Sequence, residues 1–299
     1  LFLAGMGGSP LTFGGGSVSS VAGTELRLSG SHGLSVGQAI SCGGEVRFVT
    51  AIVDSQAVTL NAPLTSSPQP GWTVDRTVTY RLATDLPSVS VYDYWSPETA
   101  VHRILAGGAV DEMRIQVNGD FHEFAFSGLA ADLIDSASFE SGQGGLLSFP
   151  AEPTIEDVNY AVIPGNLGQA WLGENPHQFF TLTKAEIVLN NALDLRSREF
   201  GVETPQCVTA GLRRVTADFS LYEKPDAATK SLYQAARDRT PVNAMFQLGQ
   251  QTTQLCGVFM ANVVPEVPQF IDDENQLEWK FEGCRAEGTV DNEIFVAFG

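Results

Sequence analysis

The stretch from residue 215 to residue 248 constrains this chain most. Val215, Ala217, Phe219 and Leu221 alternate with Thr216, Asp218 and Ser220. A period of two gives a strand with one buried and one polar face. Lys224-Pro225-Asp226 stops that strand and starts a helix. Asp226 is placed as its N-cap, because a carboxylate there accepts from the free amides of the first turn. Ala228, Leu232, Ala235 and Ala236 form an apolar stripe, and Arg237 and Arg239 sit where the helix dipole is negative. Pro241 closes the helix, and Val242–Leu248 returns to a strand pattern. A stripe this narrow cannot hold a core by itself, so the helix must pack on a sheet. The expected class is mainly β, an antiparallel sandwich or barrel with one short flanking helix.

Other segments extend the pattern in order. They are Lys184-Ala185-Glu186-Ile187-Val188-Leu189-Asn190-Asn191-Ala192-Leu193-Asp194-Leu195-Arg196, then Glu199-Phe200-Gly201, then the strand and helix above. Pro265-Glu266-Val267-Pro268, Leu277-Glu278-Trp279-Lys280-Phe281-Glu282-Gly283 and Asp291-Asn292-Glu293-Ile294-Phe295 end the series. Upstream, Val117-Asn118-Gly119-Asp120 and residues 126–135 continue it. This ordered series resembles the major tail tube proteins of long-tailed, siphovirus-like phages.

The resemblance implies a structural virion protein whose hexameric rings stack into a tail tube, with no catalytic site and no cofactor. It implies homo-oligomeric contacts, and tape measure, distal tail and terminator proteins as further partners. Genomic DNA would pass through without specific binding. The place implied is the virion tail, assembled in the host cytoplasm. Each subunit would add one curved sheet to a closed inner barrel, and closure removes exposed strand edges. Glu186 and Asp218, on the polar faces of strands 184–189 and 215–221, are candidate lumen acids. The sequence leaves open whether those faces meet the lumen, solvent or a neighbour. Arg213, Arg214, Arg237 and Arg239 are candidate ring-interface cations, since arginine pairs bidentately with carboxylates. Isolated surface arginines are the plainer alternative.

Three regions are expected. Residues 1–22 are a Gly- and Ser-rich arm, read in a monomer as a disordered tail and in an assembly as a strand for a neighbour's sheet edge. Residues 23–85 read as a small β module, a decoration or an inter-ring contact, with alternation at 24–28, 45–49 and 57–60 between turn signals. Residues 86–299 form the tail-tube domain. It opens with strands at 89–94, 100–105 and 112–117, an Asn118-Gly119 turn and a returning strand at 121–126. A short helix is expected at 128–134. The long loop 138–168 is assigned to contact between rings.

Composition narrows the functions. There are 17 basic and 35 acidic residues, a formal charge of −18. That argues against a protein that grips duplex DNA, which needs a basic surface. It suits a duct whose acidic wall repels phosphate, though the same charge also serves solubility. Cys42, Cys207, Cys256 and Cys284 are widely spaced and read as free thiols. No segment approaches the roughly 20 apolar residues of a membrane-spanning helix. His32, His102, His122 and His177 show no metal-ligand spacing. Asp272-Asp273-Glu274-Asn275 lacks the spacing that wraps calcium and reads as a solvated turn. No Gly-x-Ser-x-Gly elbow occurs. A different class of function remains, a β-sandwich of a baseplate or receptor-binding protein that recognises carbohydrate. Trp72, Trp95, Trp171 and Trp279 would be its stacking platforms, although tryptophan more often fills a core or interface.

Overall fold

The computed structural model describes residues 1–95, 100–118, 121–154, 163–196, 200–201, 205, 207–272, 277–289 and 291–299. Gly119 of the expected turn, Glu199, residues 155–162 of the long loop and Asp273-Glu274-Asn275 lie outside the described residues.

The chain is mainly antiparallel β, built as two packed sheets with a third layer behind them. The front sheet runs in the order Glu123–Leu129, Arg103–Val117, Leu182–Asn190, Arg214–Tyr222 and Glu278–Phe281, with Gln269–Ile271 outermost. The back sheet runs Leu11–Phe13, Thr77–Arg81, Phe295–Phe298, Cys256–Val264, Val242–Leu248 and Gly168–Gly173. The short strand Arg285–Ala286 bonds both to Arg214–Tyr222 and to Cys256–Val264. It welds the two sheets into one that curls almost into a barrel.

The alternation seen in sequence sets the core. Val215, Ala217, Phe219 and Leu221 are buried, as are Ala185, Ile187 and Leu189 on the next strand. They meet Leu172, Phe246, Val258 and Val296 of the back sheet. Phe219 and Phe281 stack with ring centroids 4.7 Å apart. The helix Ala227–Asp238 packs Leu232 and Ala236 on this core. Its N-cap is Asp226, whose carboxylate accepts from the Thr229 amide at 2.8 Å, and Arg239 ends it in the left-handed region.

Three local expectations change. Residues 128–134 are not a helix: Glu123–Leu129 and Asp132–Asp135 are strands, both paired to the 15-residue strand Arg103–Val117. Short apolar runs look alike in helix and strand, and here a long partner strand decides. The same strand joins the two expected at 100–105 and 112–117. The first residues are not a free tail. Phe2–Met6 is a helical turn with Ala4, Gly5 and Met6 buried. Phe2 sits among Tyr80, Phe124, Phe126 and Phe298, at centroid distances of 5.1–5.8 Å.

The third layer is a six-stranded sheet spanning residues 16–74, in the order Ala39–Cys42, Glu45–Ile52, Ala57–Leu60, Glu25–Leu28, Gly16–Ala22 and Thr73–Val74. It has its own core of Val18, Leu26, Ile40, Val49, Val58 and Leu60. It also packs on the outer side of the back sheet, where Val46 and Phe48 meet Trp171, Met245 and Phe259. The polar letters in 45–49 suggest a solvent face, yet all five residues are buried. Arg47 is fully buried over the Trp171 ring, 5.0 Å from its centroid. Its guanidinium donates to Glu45, to the Gln169 side chain at 2.8 Å and to the Pro63 carbonyl at 3.1 Å. Burial alone would raise the Glu45 carboxyl, but the Thr65 and Ser66 amides and Arg47 hold it below its ordinary range.

Candidate functional site

The outward side of the front sheet is a polar face. Period two puts Met113, Ile115, Ala185, Ile187 and Val215 inside, so their neighbours Glu112, Arg114, Glu186 and Arg214 point out. Register then fixes which side chains meet. Gln116 stands opposite Glu186, and Glu186 opposite Asp218. The Arg114 guanidinium bridges two acids, Nη1 on Glu186 and Nη2 on Glu112 at 2.9 Å. Glu112 accepts a further, longer hydrogen bond from Asn190 Nδ2 at 3.4 Å. These paired acids raise Arg114 further above its ordinary value, the Glu112 hydrogen bond first.

Asp218 accepts from the Gly283 amide at 2.8 Å. Burial raises its carboxyl above the ordinary range, Gly283 opposes, and Glu282 and Glu186 add to the rise. Lys280 pairs with Glu282 at 2.6 Å. Glu186, Asp218, Lys280 and Glu282 share a cleft of about 300 Å³ across the strands with Lys184 and Ser220.

The face carries both signs. By pairing register its acids are Glu112, Glu123, Glu186, Asp218 and Glu278, joined by Glu282 through its pair with Lys280, and its cations are Lys184, Arg114, Arg214, Lys280 and Arg285. The −18 of the whole chain is therefore not concentrated here.

Both margins of this sheet are open. Among the described residues Glu123–Leu129 pairs only with Arg103–Val117, and Gln269–Ile271 only with Glu278–Phe281. Each margin shows a phenylalanine, Phe124 at 36% and Phe270 at 55% exposure. Beside Phe124 lies an apolar cleft of about 820 Å³, lined also by Phe13, Val78, Leu255 and Phe298.

The two candidate lumen acids thus stand side by side on one face. The four candidate interface arginines have separate surroundings. Arg213 is held within the chain, donating to the Ala83 carbonyl at 3.0 Å, Asp291 at 2.7 Å and Glu293 at 3.3 Å. Arg214 lies on the polar face, in register with Asn190. Arg237 is exposed in the last helical turn. Arg239 is exposed, with Glu266 at 3.7 Å. Of the tryptophans, Trp171 and Trp279 are buried, while Trp72 lies in the six-stranded layer and Trp95 follows strand Val89–Asp93. The sequence reading missed Arg114, Glu112, Lys280 and Glu282. The alternation from Glu112 to Val117 signalled the strand of the first two, but only register shows whom they meet.

The fold is thus a curled antiparallel sheet with a polar outer face and two open margins. A family model described as phage tail tube protein matches residues 1–282. The chain belongs to that family and is a structural component of a phage tail. No curated protein matches it.

Proposed function

We propose that copies of this chain close into six-fold rings through the open margins of the front sheet, and that the rings stack into the tail tube. The observation that carries this reading is the pair of free edges, each showing a phenylalanine, on a sheet whose outer face is polar. Unpaired edges are templates for further strands, and closure through copies of the same chain removes them. The polar face then lines the lumen, with Glu186 and Asp218 on the wall, and the genome passes without specific binding. The six-stranded layer, on the far side of the back sheet, falls on the outside of the tube. Residues 138–168 contact the next ring, and tape measure, distal tail and terminator proteins meet the tube's ends and interior. Assembly takes place in the host cytoplasm.

Negative-stain electron microscopy of the purified full-length chain tests this. Hollow six-fold rings or tubes are expected. Single subunits that stay unassembled near physiological salt and at high concentration would overturn it.

A further inference from the structure

The polar face holds an arginine in a position to grip phosphate. A guanidinium fork fits phosphate as well as it fits carboxylate. Arg114 is 39% exposed, so a polyanion passing over the face can reach it. Both of its terminal nitrogens are already taken, Nη1 by Glu186 and Nη2 by Glu112. Asn190 adds a longer contact that steadies Glu112.

The rest of the face supplies no net charge. Lys280 is paired with Glu282, and the other three cations match the other three acids in number. The balance of the face hangs on the trio Glu112, Arg114 and Glu186, with two negative groups on one positive. We infer that Glu112 and Glu186 are a mask. They keep the face from retaining a linear polyphosphate, and they do so by occupying Arg114 rather than by making an acidic wall. The inference rests on the proposed reading for its biological setting, since that reading turns this face toward DNA. The masking itself is a property of the single subunit.

A phosphate can displace the bridge only by breaking two charge-assisted hydrogen bonds and leaving two carboxylates beside its own charge. Replacing both acids by glutamine keeps their size and leaves the arginine as an uncompensated cation. The face then changes from one excess negative charge to one excess positive.

The test uses the full-length chain and a labelled mixed-sequence DNA duplex, read by fluorescence anisotropy at about 50 and about 200 mM salt. The wild type is expected to bind at neither. The variant E112Q/E186Q is expected to bind at the lower salt and to lose about threefold per phosphate engaged at the higher. Adding R114Q to that variant is expected to return it to the wild-type baseline. The masking is overturned if E112Q/E186Q melts and scatters like the wild type yet gains no binding, or if the triple variant binds as tightly as the double. It is overturned equally if the wild type already binds like the double variant. Micrographs of the same samples separate the two readings. Rings without the gain in binding sink the mask and leave the tube. Binding that follows Arg114 in a chain that never forms rings sinks the tube and leaves the mask.

Discussion

Asp218 and Glu186 face each other directly across two strands, an arrangement in which like charges repel. The cost falls on the half-buried Asp218, whose carboxyl titrates above its ordinary range, burial being the first cause. A carboxyl raised in the folded state binds its proton more tightly folded than unfolded, so it weakens the fold as pH rises from the unfolded to the folded value. D218N keeps an acceptor for the Gly283 amide and removes the charge. Melting curves should show D218N gaining on the wild type at pH 7 and losing that gain near pH 4; an equal effect at both would refute the burial argument. That Asp218 and Glu186 point to one polar face was legible from period two. That Arg114 bridges Glu112 and Glu186 was not, because pairing register between strands 72 residues apart leaves no local trace. Arg213 was likewise opaque: its partners Asp291 and Glu293 stand 78 and 80 residues further along.

At the scale of elements, strand Arg214–Tyr222 and helix Ala227–Asp238 were readable because their signals are local. Alternation, a capping aspartate and a closing proline all lie within a few turns of chain. Strand Glu45–Ile52 was not. A buried ion pair spells the same letters as a solvated face, and only the neighbouring layer tells them apart. Breaking that pair has a predictable size. E45A leaves Arg47 charged in a site that already pushes its value down to about 10. It should cost about 3–5 kcal/mol in denaturant unfolding, while E45A/R47M should recover most of the loss. If the double variant were as unstable as E45A, the unpaired charge would not be the cause. The strands at 123–135 carry the same lesson from the other side, since the run Leu129 to Ile134 takes its form from Arg103–Val117 and not from itself.

For the whole molecule, the six-stranded layer comes close to the back sheet at one small residue. A methyl on Gly257 would stand 2.7 Å from Val46 Cγ1 and 3.0 Å from the Phe48 ring. G257A should therefore lower stability by about 1–3 kcal/mol through overpacking. It should also open residues 16–74 to limited proteolysis; unchanged digestion would show that the layer shifts to make room. The way this layer joins the rest has a separate consequence. The chain leaves for it at Phe13 and comes back at Thr77, and those two residues are paired neighbours. A segment with adjacent exit and return can be lengthened, shortened or exchanged without moving the strands on either side. Its footing on Trp171, Gln169 and Gly257 has no such freedom. Evolutionary change here is therefore expected to arrive as whole cassettes, each bringing its own match for that footing, so that residues 16–74 diversify while the two packed sheets keep their geometry.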